Sequence, residues 1–138
     1  MNLQSQQGIA EYNRIVKSIV CTAATPITAF TVTGDVVLKI VAICKASFTT
    51  SDAITLELGV SGDTAKIIAQ IVDATGLLIN EIWQDATPDA TIELSSVVNE
   101  FIISNGQDII ITTTGTITAG TIQFVCFWYP ISSDGNVS

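Results

Sequence analysis

Apolar and polar residues alternate along most of the chain with a period of two, the pattern of a β-strand that buries one face. In residues 54–60, apolar side chains occupy the even positions and are predicted to face a core, while Thr55, Glu57 and Gly59 are predicted to face outward. Residues 36–44 repeat the pattern, again with apolar residues at every even position. Half-buried strands are therefore the expected building blocks.

Turn residues divide the chain into about eight or nine short predicted strands. Ser61-Gly62-Asp63 and Asn105-Gly106 are typical of tight turns between strands. Residues 12–22 fit either a short amphipathic helix or a strand, and a strand is favoured. Residues 80–91 are predicted to form the principal loop. The predicted strands cover residues 12–22, 27–33, 35–47, 54–60, 66–72, 97–104, 108–114 and 116–129.

Composition supports an all-β fold. Ile, Val and Thr supply 51 of the 138 residues, and such β-branched side chains suit a pleated sheet better than a helix. A chain of this length forms one domain. We predict a single antiparallel β-sandwich of jelly-roll or Ig-like type over residues 11–138. Residues 1–10, polar and rich in Gln, are predicted to form a flexible N-terminal arm.

Charge narrows the choice of partner. The net charge is −8, and all five Lys and Arg residues lie within residues 1–66. Nucleic-acid binding needs cations that neutralise phosphates, so the sequence disfavours a nucleic-acid partner. No secretory signal pattern begins the chain, and no apolar stretch is long enough for a membrane span, so a soluble protein is expected. A basic or neutral protein surface is the expected partner.

The sequence offers little for catalysis. Histidine is absent, which excludes Ser-His-Asp triads and Cys-His catalytic pairs and removes the commonest general base. Cys21, Cys44 and Cys126 lie in apolar, strand-like contexts without a CxxC pair, which indicates buried free thiols made in a reducing compartment. We therefore expect no enzyme activity, no cofactor and no metal.

One loop nevertheless carries candidate binding residues. Trp83, Asp85 and Asp89 lie close together in residues 80–91. An indole face can stack on a sugar, and carboxylates are ligands for calcium. An ordinary turn has the same composition, and the ligand spacing of an EF-hand is absent. The turn is the favoured interpretation, with calcium or carbohydrate binding as alternatives.

The predicted strand 121–130 is apolar on both faces. Ile122, Phe124, Cys126 and Trp128 share one face, and the other carries the candidate interface residues Val125, Phe127 and Tyr129. A sandwich strand in a monomer normally buries one face only. Another subunit is the expected cover, and a loop or the N-terminal arm is the alternative. Gln4 and Gln6 of the arm are further candidate docking residues.

Several segments resemble small structural proteins that tailed bacteriophages encode near their capsid genes. The similarity extends from about Gly34 to the C terminus and is carried by residues 80–88, 105–112, 119–122 and 128–135. These residues belong to turns and strand ends, so the resemblance transfers no active residue.

The resemblance implies a virion structural protein, most simply a capsid decoration or cement protein. Such a protein would be made in the bacterial cytoplasm and would bind the major capsid protein on the outside of the shell. A homo-oligomer is expected, and a trimer is favoured because it matches the threefold positions of an icosahedral shell. The alternative is a phage fibre or lectin-like module that binds host glycans through Trp83, Asp85 and Asp89.

Overall fold

The structure, a computed structural model, describes residues 11–138. The predicted N-terminal arm, with Gln4 and Gln6, lies outside the described residues. Among residues 11–138, no helix is long and apolar enough to cross a membrane.

Twelve strands and two short 3₁₀ helices make up the described chain, where the sequence predicted eight or nine strands. Four of the twelve have only two residues, too few to produce a recognisable alternation. The strands are β1 Asn13–Val20, β2 Ile27–Phe30, β3 Val32–Thr33, β4 Val36–Thr49, β5 Leu56–Val60, β6 Asp63–Ile71, β7 Glu81–Ile82, β8 Asp89–Ala90, β9 Phe101–Ile103, β10 Ile109–Thr113, β11 Ala119–Pro130 and β12 Asn136–Val137, and the 3₁₀ helices are Ala74–Gly76 and Ser95–Val97.

Two antiparallel sheets form a sandwich, which confirms the predicted fold class. The six-stranded sheet has the order β1-β11-β4-β7-β8, with β9 also paired to β4, and the four-stranded sheet has the order β2-β10-β5-β6. A minor sheet pairs β12 with β3. The connections between strands cross repeatedly from one sheet to the other, and the two strand orders are those of a jelly roll. The ambiguous segment 12–22 forms a strand.

The core lies between the inner faces of the two sheets. The even-numbered side chains of residues 36–44 are all buried there, as their alternation predicted. Phe124 of β11 occupies the centre, with Phe30 edge-on at 6.4 Å and Trp83 at 6.4 Å between ring centroids. Edge-to-face aromatic pairs add to the stability that apolar burial provides. The predicted inner face of residues 121–130 is therefore confirmed.

Glu57 departs from the alternation pattern, which predicted an outward-facing and therefore exposed side chain. Its side chain lies on the outer face of the four-stranded sheet, yet it is only 8% exposed. Thr64 Oγ1 donates to one carboxylate oxygen, and Gln70 Nε2 donates to the other at 2.7 Å. These two hydrogen bonds from β6 satisfy the carboxylate, so its partial burial is tolerated. Gly59, also predicted to face outward, is buried against the β5–β6 hairpin.

Three turns interlock at one end of the sandwich. Asn105 N–H donates to the Asp35 carboxylate at 2.8 Å, and Gly106 N–H donates to the Gly34 carbonyl at 2.9 Å. The Ser132 hydroxyl accepts from Asp35 N–H at 2.9 Å. Gly34 has φ of 62°, a left-handed conformation that favours glycine. This hydrogen-bonded cluster of turns therefore includes residues from two of the segments that carry the resemblance to phage proteins, 105–112 and 128–135.

Candidate interaction surface

The outward side of the six-stranded sheet carries apolar side chains on its three long strands, β1, β11 and β4. Val16 of β1, Val125 of β11 and Val41 of β4 are cross-strand neighbours and form one row. Phe127 and Tyr129 continue this surface along β11, and all of them keep part of their area accessible to solvent. We call these five residues the outer face. Val125, Phe127 and Tyr129 thus share one surface, as the sequence predicted.

An aromatic corner limits one side of the outer face. The Tyr12 ring meets Tyr129 at 5.4 Å and Phe127 at 6.5 Å between ring centroids, both edge-on. Lys39 Nζ lies 4.6 Å from the centroid of the Tyr12 ring, within range for a cation–π contact. The contact with Tyr12 therefore places the Lys39 ammonium group beside the apolar residues of the outer face.

A groove crosses the outer face. Its larger part has a volume of about 460 Å³ and lies between the aromatic corner and the 3₁₀ helix Ser95–Val97. A smaller part of about 190 Å³ continues toward β7. Val41, Ser95 and Val98 line both parts. Within the part of the chain that the structure describes, Tyr12 and the segment around Val98 therefore cover the outer face only in part, and an apolar groove lies between them.

Three carboxylates gather near the far end of the groove. Asp85, Asp89 and Glu93 each place a carboxylate oxygen within 4.8 Å of the others. A hydrogen bond to Asp89, and then the negative charges of Asp89 and Asp85, raise the pKa of Glu93 above its ordinary value. Calcium takes six to eight oxygen ligands, so three side chains alone make an incomplete calcium site. What the cluster does create is a concentrated negative charge.

Trp83 does not belong to this exposed surface. Its side chain is fully buried against Phe124, and its backbone N–H donates to the Ala42 carbonyl at 2.9 Å. The expectation that Trp83 offers an indole face to a sugar is therefore corrected, because the ring packs into the core. Of the three candidate loop residues, only Asp85 and Asp89 lie together.

No known protein family, curated protein or solved structure matches the chain. Evidence for function therefore comes from the residues and geometry of the chain itself.

The three cysteines are free and buried, as the sequence predicted. Burial raises the pKa of Cys21 to about 12, of Cys44 to about 11 and of Cys126 to about 12. Only the thiolate is an effective nucleophile, so these thiols are unreactive near neutral pH.

Sequence patterns missed four residues of this surface. Tyr12 and Lys39 form the aromatic corner, Val98 lines the groove, and Glu93 completes the acidic cluster. Glu93 follows Asp85 and Asp89 at the same four-residue interval, a signal that the sequence does contain. Tyr12 carried no such signal, because its role depends on the pairing of β1 with β11.

Proposed function

We propose that this chain is a structural virion protein of a tailed bacteriophage, a capsid decoration protein that binds the outside of the major capsid shell. The observation that carries the proposal is the outer face, an apolar sheet surface on the side of the sandwich that no other sheet of residues 11–138 covers. Contiguous exposed apolar surface usually marks a protein–protein interface. The proposal assigns the chain no reaction and no cofactor.

The fold and the charge are compatible with this role. Jelly rolls recur among viral capsid proteins, although a fold alone does not define a function. A net charge of −8 keeps the exposed chain soluble and repels packaged nucleic acid. Lys39, in contact with Tyr12 and paired with Phe127 across β4 and β11, adds a positive charge to the outward side of the sheet, which can orient a partner. The protein then acts in the virion, after synthesis in the bacterial cytoplasm.

The aromatic corner suits a protein partner better than a small ligand. Phe127, Tyr129 and Tyr12 offer large apolar areas at low cost in side-chain entropy, as at many protein interfaces. The groove is open along its length, whereas pockets for small molecules enclose most of the ligand. The segment of the capsid protein that fits here is apolar, with polar or acidic residues at the Lys39 end.

A glycan-binding fibre module is the second candidate. It draws on Asp85 and Asp89, which lie close together and can accept hydrogen bonds from sugar hydroxyls. The buried Trp83 removes the stacking platform that this candidate expected. We therefore rank it below the decoration protein.

Titration onto shells tests the proposal. Purified chain is added to capsids of the phage that encodes it, prepared without the chain, and bound copies are counted by mass spectrometry and electron microscopy. We expect saturable binding that Phe127→Asp weakens at least about a hundredfold, since the mutation places a charge in an apolar contact.

Thr28→Asp is the matched control, because Thr28 is exposed on the four-stranded sheet and the mutation adds the same charge. It should bind shells as the wild type does. Equal binding by Phe127→Asp and wild type would contradict the proposed face. Two results together would favour the fibre module: the chain does not bind shells, and it binds a glycan array saturably. Asp89→Ala should then abolish the glycan binding.

A further inference from the structure

The two opposite edges of the six-stranded sheet carry opposite charge. Strand β1 lies at one end of the sheet and β8 at the other. Arg14 and Lys17 belong to β1, whereas Asp89 belongs to β8 and lies within 4.8 Å of Asp85 and Glu93. Residues 67–138 contain no Lys or Arg, so no base of this half of the chain offsets the acidic edge.

Each charged edge also exposes apolar side chains. On β1, Val16 is 39% and Val20 58% exposed, and both lie on the same side of the strand as Arg14. Beside the acidic cluster, Ile92 is 81% and Leu94 72% exposed. We define the basic edge as Arg14, Val16, Lys17 and Val20. We define the acidic edge as Asp85, Asp89, Ile92, Glu93 and Leu94.

The two edges are too far apart to satisfy each other within one chain. Four strand spacings separate β1 from β8, which amounts to about 19 Å across the sheet. Arg14 is level with Lys39 on β4 and Asp89 is level with Ile43, which adds about 13 Å along the strands. An arginine side chain cannot span this distance, so Arg14 does not pair with the acidic edge of its own chain.

We propose that the basic edge of one copy binds the acidic edge of the next copy, with the exposed valines packed on Ile92 and Leu94. A second copy is the fitting occupant because it presents both the complementary charge and the complementary apolar side chains. Copies that each carry a charge of −8 repel one another, so association needs such a local match of opposite charges.

The contact joins different surfaces of the two copies, so it is heterologous, and the proposal is that the copies close into a ring and do not continue as an open filament. In such a ring Val16 belongs to the contact between copies, and Val41, Val125, Phe127 and Tyr129 of the outer face are left for the capsid partner. The inference rests on the proposed function, because the number three comes from the threefold positions of the icosahedral shell that a decoration protein would occupy.

Side chains, and not backbone pairing, make this contact. Lys17 points toward the core side at the margin of the sheet, with Nζ 5.3 Å from the Phe30 ring centroid. Charged residues placed in this way on an edge strand discourage another strand from extending the sheet. The specificity of the contact therefore comes from Arg14 and the carboxylates.

Charge reversal tests the inference. The full chain is studied by sedimentation velocity over micromolar concentrations, with circular dichroism to verify folding. We expect a wild-type mass of three chains, and weakening of at least about a hundredfold in Arg14→Glu and in Asp89→Arg, because each change replaces attraction by repulsion. The double variant Arg14→Glu/Asp89→Arg should regain most of the association.

Lys66→Glu is the control, since it makes the same charge change on an exposed residue of the four-stranded sheet and should assemble like the wild type. Ile92→Ser, altering a highly exposed side chain, serves as a second variant if Arg14→Glu folds poorly, and it should weaken assembly. Unchanged assembly of a folded Arg14→Glu, or no rescue in the double variant, would overturn the inference and leave shell binding intact as a separate result. A monomeric wild type that still binds shells would overturn the ring alone, whereas a ring that does not bind shells would overturn the decoration role alone.

Discussion

The outer surfaces of the two sheets differ in how well the chain itself completes them. On the four-stranded sheet, Glu57 accepts hydrogen bonds from Thr64 and Gln70, so its polar group is satisfied within the chain. On the six-stranded sheet, the outer face carries valines and aromatic rings under a partial cover. The chain itself satisfies the polar group of the first surface. Covering the second surface removes apolar area from water and therefore lowers the free energy.

This difference separates stability from binding. Residues of the inner faces and of the Glu57 network contribute to the free energy of unfolding. Residues of the outer face contribute little to it, because they stay half exposed in the folded chain, but they are available to a partner. Neighbouring positions of one strand can therefore be assigned either to stability or to binding. Mutations can test each assignment.

The largest effect is expected within β11 itself. Phe124→Ala should lower the free energy of unfolding by about 3–5 kcal/mol, because it removes a fully buried ring and leaves a cavity. Phe127→Ala, three residues along the same strand on the other face, should cost much less. Urea denaturation measures both values. Equal losses of stability would show that the two faces of β11 are buried to the same extent. That result would contradict the difference between the inner and outer faces.

Thiol chemistry gives a second contrast between the faces. Burial keeps the three native cysteines protonated and inaccessible at pH 8, so iodoacetamide should label each of them at least about a hundredfold more slowly in the folded chain than in urea. Ser18→Cys places a thiol at an exposed position on the outward side of β1 and should label rapidly. Mass spectrometry distinguishes the sites. Rapid labelling of Cys126 in the folded chain would contradict the described core.

Glu57→Ala should destabilise the chain by about 1–3 kcal/mol, because it removes two hydrogen bonds to a nearly buried carboxylate. Val125→Thr on the outer face should change stability by no more than about 0.5 kcal/mol while it weakens shell binding. Thermal denaturation and shell titration give the two measurements. A neutral Glu57→Ala would remove the contrast between the completed and the open surface.

The smallest effect concerns the acidic cluster. Its neighbours raise the pKa of Glu93, so the folded state binds the Glu93 proton more tightly than the unfolded state. That contribution to stability is present at acidic pH and is lost as the pH rises through the raised pKa. Glu93→Gln should therefore be slightly more stable than wild type at pH 7, with no gain at pH 3. A gain of the same size at both pH values would exclude charge repulsion as its cause.

Sequence periodicity predicted the sheets well because burial and alternation are coupled in a regular strand. The even-numbered residues of 36–44 face the core as predicted and belong to β4, and Phe124 and Phe127 lie on opposite faces. Strands β7 and β8 were not predicted, since β7 depends on its pairing with β4 and β8 on its pairing with β7 rather than on their own patterns.

The candidate site was less predictable because it depends on contacts between distant segments. Trp83 packs into the core through the hydrogen bond to Ala42, which no local pattern reveals. Thr91 has φ of 62°, an unusual conformation for a β-branched residue, and it lies between two members of the acidic cluster, Asp89 and Glu93. Loop geometry of this kind follows from tertiary contacts.

A reconstruction of the intact phage particle tests the central claim most directly. We predict that the chain lies on the outside of the shell, with Val125 and Phe127 covered by the major capsid protein and the four-stranded sheet facing solvent. A particle in which the chain is present but the outer face is exposed, while the four-stranded sheet contacts the capsid, would contradict the account.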